Sequence, residues 1–314
     1  MKLVSDLVAG DVRALSRVIS LLESGRGGLI SEIYPHTKGV RVIGITGSPG
    51  AGKSTLTDQL ALEFHRQGKR AAILAIDPSS PFTGGALLGD RIRMSGAADV
   101  SGIFIRSMSS RGAPGGLAPR TKEAIYALDA AGFDLVLVET VGVGQGEIDI
   151  IRLADTVVVV LVPGMGDGVQ ALKAGILEIA DIFAINKADY EGVERLEREL
   201  HTLIGLVPSQ GGWKSGIVRT VGTTGLGVTE LAGAIDSHWG WLAKDGELER
   251  RRERFISQYL KESALENLSS RITTDPKFEL GLKRVAAAVK KRKLGPNEAI
   301  EKLVSLARRS GRVQ

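Results

Sequence analysis

The chain has 314 residues, of which 43% are hydrophobic and only 4% aromatic, with 40 glycines and no cysteine. That length buries a substantial core in one large domain or two ordinary ones, and the lack of cysteine excludes disulfides, thiolate zinc sites and thiol nucleophiles. The net charge is +5, yet positions 245–314 hold 17 Lys/Arg against 10 Asp/Glu, so the basic excess belongs to the tail.

On a solvated helical tail such an excess serves solubility; an acidic partner is the second reading, and nucleic acid is not implied. The first residues alternate charge with apolar positions (Lys2, Asp6, Asp11, Arg13), unlike a signal peptide. The longest apolar stretch, Val157 to Val162, is too short to span a bilayer. A soluble, cytoplasmic protein with no membrane association is expected.

Residues 1–38 read as a helical extension. Asp11 is the expected N-cap of a helix that carries Val12, Leu15, Ile19 and Leu22 at helical spacing and ends at Gly25. From Val40 the pattern changes to short apolar runs: "GVRVIGITG", "RAAILAID", "GIFIRSM", "FDLVLVET", "TVVVVLV" and "DIFAIN". Several are separated by enough chain for a helix, which predicts an α/β domain over 39–244 built on a doubly wound, mainly parallel sheet. Ligands of such sheets sit at the carboxyl ends of the strands. From Asp245 onward a charged helix carries an apolar stripe (Phe255/Tyr259, Ile256/Leu260, Leu265/Leu268/Ile272). Further helices are expected over Pro276–Arg292 and Asn297–Arg309, separated by a break at Gly295-Pro296. The segment 245–314 is either a helical cap or an arm that binds a second subunit, and the length of the stripe favours the arm.

Gly47-Ser48-Pro49-Gly50-Ala51-Gly52-Lys53-Ser54 fits the phosphate-loop pattern, with a strand before it and a helix opening at Thr55-Leu56. Its glycines let successive backbone N–H groups face the phosphates, while Lys53 reaches the β- and γ-phosphates and the Ser54 hydroxyl ligates magnesium. Asn186-Lys187-Ala188-Asp189 follows its own strand. A carboxylate at Asp189 can accept two hydrogen bonds from guanine that adenine cannot offer, which selects GTP over ATP.

Three carboxylates are candidates for the metal. Asp77 ends "AAILAID", Asp90 sits in "LLGDRIRM", and Glu139 ends "FDLVLVE". Magnesium tolerates few protein ligands, so Glu139 is expected to bind it directly or through a water, with the Gly142 N–H facing the γ-phosphate. Asp77 and Asp90 are then switch groups or stand behind the ligands. The structural readings are a helix N-cap for Asp90 and a turn carboxylate before proline for Asp77. Val143 stands where a Ras-type enzyme has its water-orienting glutamine.

These stretches together strongly resemble the MeaB/ArgK family of GTPase chaperones of methylmalonyl-CoA mutase, which includes the human methylmalonic aciduria type A protein. The resemblance is carried by "AGDVRALSRVISLLE", "GITGSPGAGKSTL", "AIDPSSPFTGGALLGDRIRM", "RGAPGGLA", "FDLVLVETVGVGQ" and "NKAD". It implies a homodimeric P-loop GTPase of the SIMIBI class whose tail is the dimerisation arm. Such a protein would couple GTP hydrolysis to loading of adenosylcobalamin into an acyl-CoA mutase, would protect or reactivate that mutase, and would work alongside an adenosyltransferase. Adenosylcobalamin would be handled through the mutase rather than bound by this chain alone.

By the family's pattern Lys53 and Ser54 serve phosphate and magnesium, Asp90 and Glu139 serve magnesium, and Asp189 serves guanine. "PGMGDGVQALKAG" corresponds to an additional switch loop, so Asp167, Gln170 and Lys173, together with Gln145, are expected to signal to the partner. The chain departs from the pattern at Gly146, at Gly168-Val169, and at Val221-Gly222, which replaces the Ser-Ala pair whose backbone caps guanine. The last change is compatible with binding if main-chain N–H groups make the contact. Rival readings fit less well. A nickel-insertion GTPase needs soft or imidazole ligands, whereas His36, His65, His201 and His238 are scattered singly. A signal-recognition GTPase wants a Met-rich groove, but only four Met occur. A kinase linked to basic amino-acid transport would need a catalytic base, and no H-R-D loop is present.

Overall fold

Seven strands form one parallel sheet in the order β3-β2-β4-β1-β5-β6-β7. They are β1 (Arg41–Gly47), β2 (Ala71–Asp77), β3 (Ile103–Ser109), β4 (Leu135–Thr140), β5 (Thr156–Leu161), β6 (Ile182–Ile185) and β7 (Gly216–Arg219). The structure is a computed structural model and describes residues 2–24, 26, 28–77, 95–98, 100–109, 121–140, 150–164, 177–205, 212–244 and 246–310. The six apolar runs became β1 to β6. The seventh strand, "GIVR", was not anticipated: it is four residues long and only half-buried, so its apolar signal is short.

Alternate residues of each strand feed opposite faces. Val42, Leu74, Val136, Val138, Val157 and Val159 pack on one face with α1 (Lys2–Val8), α2 (Val12–Glu23) and α6 (Thr121–Ala130), and Ile185 packs there with α8 (Val193–Ile204). Ile43, Ile45, Ile73, Leu137, Val158 and Ala184 pack on the other face with α4 (Lys53–Arg66) and α9 (Val228–Leu242). Both faces are therefore apolar, which explains why the strands read as continuous runs. Short helical pieces α3 (Leu29–Ile33), α5 (Ser95–Ala98) and α7 (Leu177–Ile179) complete this part of the chain.

The N-terminal extension is tied to the sheet domain through its connection to β1. Asp11 caps α2 by accepting from the Ala14 N–H at 2.7 Å, and Leu15, Ile19 and Leu22 are fully or almost fully buried. The carboxylate of Asp129, on α6, accepts the backbone N–H groups of Lys38, Gly39 and Val40 at 2.8–3.1 Å. At the start of β1, Asp155 accepts from Val42 N–H at 2.9 Å. His238 lies fully buried, its Nδ1 2.9 Å from Thr156 Oγ1 and its Nε2 3.3 Å from Asp181 Oδ1.

The chain separates into two compact units, 1–249 and 250–314. The second consists of most of α10 (Glu247–Thr273) with α11 (Pro276–Lys290) and α12 (Pro296–Ser310). Asp275 caps α11 by accepting from Lys277 N–H at 2.8 Å. Pro296 opens α12 instead of preceding it, because a proline at the first helical position forfeits no intrahelical hydrogen bond. The two helices approach closely where Gly281 meets Leu306; a Cβ there would lie 2.3 Å from Leu306 Cδ2. Ile256, Leu260, Leu265 and Leu268 on α10, Leu280 and Leu282 on α11, and Ile300 and Val304 on α12 are exposed. Among the described residues no helix is long and apolar enough to cross a membrane.

Candidate functional site

β1 delivers the chain to the carboxyl edge of the sheet at Gly47, and α4 begins six residues later. The bend between them depends on glycine. Gly47 has φ +139°, and a Cβ there would stand 2.1 Å from the Val160 carbonyl of β5. Gly52, at φ +82°, passes under the Asn186 side chain, whose Nδ2 a Cβ would meet at 2.5 Å. The loop opens directly onto the amino end of α4, and the first-turn amides of a helix are where phosphate binds.

Lys53 is buried at the first turn of α4, and its ammonium donates to the carbonyls of Gly47 at 2.7 Å and Ser48 at 3.1 Å. The next residue, Ser54, donates its hydroxyl to Glu139 Oε1 at 2.6 Å. Glu139 is buried on β4, in register with Ile45 of β1 on one side and Ala75 of β2 on the other. A Thr140 to Thr46 hydroxyl bond of 3.0 Å crosses the same pair of strands. Asp77 ends β2, the neighbour of β4; its side chain lies outside the described residues. Ser54 and Glu139 thus supply hard oxygen donors within contact of each other. Among the described residues no three His, Cys, Asp or Glu cluster so as to hold a metal. A hydroxyl with a carboxylate suits magnesium, which completes its octahedron with phosphate and water oxygens rather than an all-protein cage.

The Asn186-Lys187-Ala188-Asp189 stretch leaves β6 on the other side of the loop. Asn186 is 2% exposed and works as a clamp. Its Nδ2 donates to the Ala51 carbonyl at 2.8 Å, while its Oδ1 accepts from the Gly222 N–H at 3.0 Å and from the Thr220 hydroxyl at 3.3 Å. Ala188 N–H donates to the Thr220 carbonyl at 3.0 Å, which joins the two base-side loops a second time. Lys187 adopts φ +54° and sets its ammonium 5.8 Å from the centre of the Tyr190 ring. Asp189 is exposed.

The expectation that main-chain N–H groups of Val221-Gly222 face guanine is modified by these bonds. The Val221 N–H donates to the Leu226 carbonyl at 2.9 Å, and the Gly222 N–H to Asn186. Both amides are engaged internally, Val221 in the turn that closes through its bridge to Leu226 and Gly222 on the Asn186 side chain.

Of the predicted residues, 47–55, Glu139, Asn186, Lys187, Asp189, Val221 and Gly222 therefore gather around the carboxyl edge between β4 and β6. Asp90, Gly142, Val143, Gln145, Gly146, Asp167, Gly168, Val169, Gln170 and Lys173 lie outside the described residues. Thr220 also belongs to the clamp around Asn186, and the sequence signals only its adjacency to Val221-Gly222.

Comparison with known proteins agrees with this geometry. Residues 15–277 match the profile of the family described as methylmalonyl-CoA mutase-associated GTPase MeaB. A Pyrococcus horikoshii protein named as a GTPase is 49% identical over 266 residues, covering 83% of this chain and 84% of its own length. The Escherichia coli GTPase ArgK is 31% identical, covering 94% of this chain and 92% of its own. The crystal structure of a LAO/AO transport system kinase shares the fold with a TM-score of 0.75 at 25% identity, over 98% of this chain and 97% of that one. GTP and GDP are thereby its nucleotides and magnesium its ion. The chain is a P-loop GTPase and belongs to the MeaB family of methylmalonyl-CoA mutase-associated GTPases.

Proposed function

We propose that this GTPase serves an adenosylcobalamin-dependent acyl-CoA mutase, methylmalonyl-CoA mutase or a close relative. Its nucleotide cycle gates loading of adenosylcobalamin into that enzyme and protects or reactivates it, with an adenosyltransferase as a further partner and the cobalamin held by the mutase. The match of residues 15–277 to a family defined by association with this mutase carries the reading.

Within the site, the Lys53 ammonium leaves or shares its loop carbonyls to meet the β- and γ-phosphates. Ser54 and Glu139, already in contact, would hold the ion, with Asp90 as a further ligand and Asp77 in support. Magnesium, when bound, neutralises charge on the β- and γ-phosphate oxygens. The Gly142 N–H would serve the γ-phosphate, and the Asp189 carboxylate would accept from guanine. Water attacks the γ-phosphorus while the bond to the GDP oxygen breaks. Val143 provides no group to orient that water, so hydrolysis is slow until the client acts on Gln145 and on the Asp167, Gln170 and Lys173 segment.

The chain works as a homodimer, and the exposed apolar residues of α10, in the 245–314 arm, form the contact between subunits. The extension 1–38 and the GTPase domain 39–244 complete each protomer.

The test is GTP turnover by the purified chain, alone and with cobalamin-dependent acyl-CoA mutases. Slow release of phosphate that rises on adding one mutase is expected. Fast turnover of the free protein, indifferent to every such mutase, would defeat the chaperone reading.

A further inference from the structure

Among the described residues, Lys187 and Arg292 are the non-glycine positions with positive φ, at +54° and +55°. Arg292 directly follows the capping residue of α11, where a left-handed turn commonly ends a helix. Lys187 has no such reason. It stands two residues beyond β6, in a conformation that crowds any side chain with a Cβ. Its neighbours hold it there: the Asn186 N–H donates to the Leu161 carbonyl at 2.7 Å, and the Ala188 N–H to the Thr220 carbonyl at 3.0 Å. A backbone kept in a disfavoured region from both sides, in a base-side loop, points to a use for the side chain it aims.

That side chain crosses a turn. The Tyr190 N–H donates to the Lys187 carbonyl at 2.9 Å, so residues 187–190 form a turn with Asp189 at its third position. The two end residues meet again through their side chains, the Lys187 ammonium lying 5.8 Å from the centre of the Tyr190 ring. This separation is within the range of cation–π attraction. The ring is 57% exposed, so it adds little to the core by burial. Without the ring, the carboxylate nearest to Lys187 in sequence is Asp189 itself, the expected acceptor for guanine. An ammonium on that carboxylate would compete with the base for the same oxygens.

We propose that Tyr190 is a positioning residue for the guanine base: its ring retains the Lys187 ammonium and leaves the Asp189 carboxylate open to the nucleotide. The inference rests on the assignment of Asp189 to guanine made above.

The experiment titrates the full chain with GDP and a non-hydrolysable GTP analogue, for wild type, Tyr190→Ala, Tyr190→Leu, Tyr190→Phe, Lys187→Ala and the Lys187→Ala/Tyr190→Ala double variant. Asp189→Asn is titrated with GDP and xanthosine diphosphate. Tyr190→Ala and Tyr190→Leu should weaken GDP and the GTP analogue by the same factor, about two- to fivefold for an exposed cation–π contact. Tyr190→Phe keeps the ring and should bind as wild type does. In the Lys187→Ala background, removing Tyr190 should change affinity no further, because the cation it retains is gone. Wild-type affinity in Tyr190→Ala would overturn the proposal. So would wild-type affinity in Tyr190→Leu, since bulk without a π-face would then suffice. A loss in Tyr190→Ala that persists undiminished without Lys187 would also overturn it, by showing that the ring acts independently of the ammonium. An unchanged preference between GDP and xanthosine diphosphate in Asp189→Asn would instead remove the assignment on which the inference stands.

Discussion

Asn186→Ala tests the clamp that joins the two halves of the site. The side chain makes three hydrogen bonds, to the Ala51 carbonyl, the Gly222 N–H and the Thr220 hydroxyl. All lie in a place where the residue is 2% exposed. Truncation leaves the Ala51 carbonyl and the Gly222 amide without this partner, and an orphaned buried group costs about 1–3 kcal/mol. The two together should lower stability by about 2–5 kcal/mol, which in a domain of this size moves the melting temperature down by about 5–15 °C. Thr220→Val removes only the longest of the three bonds and should cost about 1 kcal/mol. Because the clamp is common to both nucleotide states, GTP and GDP should weaken by the same factor, at least about tenfold for one lost bond of this strength. Thermal unfolding followed by circular dichroism, and titration with fluorescent GDP and a GTP analogue, provide both readings. A variant that melts with the wild type and binds both nucleotides unchanged would show that the clamp does not couple the phosphate loop to the base-side loops.

Asp189→Asn should weaken GTP by at least about tenfold and improve xanthosine triphosphate, because the amide reverses one hydrogen-bond polarity at the base; an unchanged preference in competition binding would remove Asp189 from the base site. Leu265→Glu combined with Leu268→Glu places charge on an exposed apolar stretch of α10, and sedimentation velocity is expected to find a dimer for the wild type and a monomer for this variant; a variant that remains dimeric would relocate the subunit contact. Burial lowers the Lys122 pKa from 10.5 to about 8. A folded-state pKa below the unfolded one means that the buried ammonium destabilises the fold below pH 8, and that this cost fades as the folded protein releases its proton between about pH 8 and 10.5. Lys122→Met should therefore be stabilised relative to wild type at neutral pH and lose that advantage as pH rises through the window in chemical denaturation. A pH-independent difference would mean that Lys122 is not desolvated.

Strands and phosphate loop were legible because their signals are local. Six strands carry apolar runs long enough to stand out from the helices between them, and the spacing of Gly47, Gly52 and Lys53 encodes a bend that few other sequences need. β7 was not legible, since this edge strand has only two apolar residues, Ile217 and Val218, and neither is fully buried, whereas all four residues of the equally short β6 are buried. The start of α12 at Pro296 was misplaced for a local reason: proline reads as a breaker until the chain before it is known to end a helix. The clamp of Asn186 and the bond that the Asp58 carboxylate accepts from the Ala97 N–H were not legible either. Each connects positions 34 or more residues apart, and the same asparagine or aspartate would pass as ordinary polar helix or strand-end residues.

These long-range bonds converge on one short stretch. Between Ala51 and Asp58 the phosphate loop and the first two turns of α4 receive a bond from Asn186 after β6, one with Glu139 on β4 and one with Ala97 ahead of β3, alongside the local bond of Lys53 to the Gly47 carbonyl at the end of β1. A helix held from four directions cannot move toward one tether without stretching another, so this part of the site is a frame common to both nucleotide states. The difference between GTP and GDP is then expected to be expressed outside the frame of residues 51–58. The amide of Ala97, which makes one of the frame's four bonds, and that of Gly222, which holds the Asn186 side chain behind another, should accordingly exchange with deuterium at the same rate whether GDP or a non-hydrolysable GTP analogue is bound. A large change at either amide on nucleotide exchange would mean that the frame itself moves and that α4 takes part in the nucleotide-dependent change.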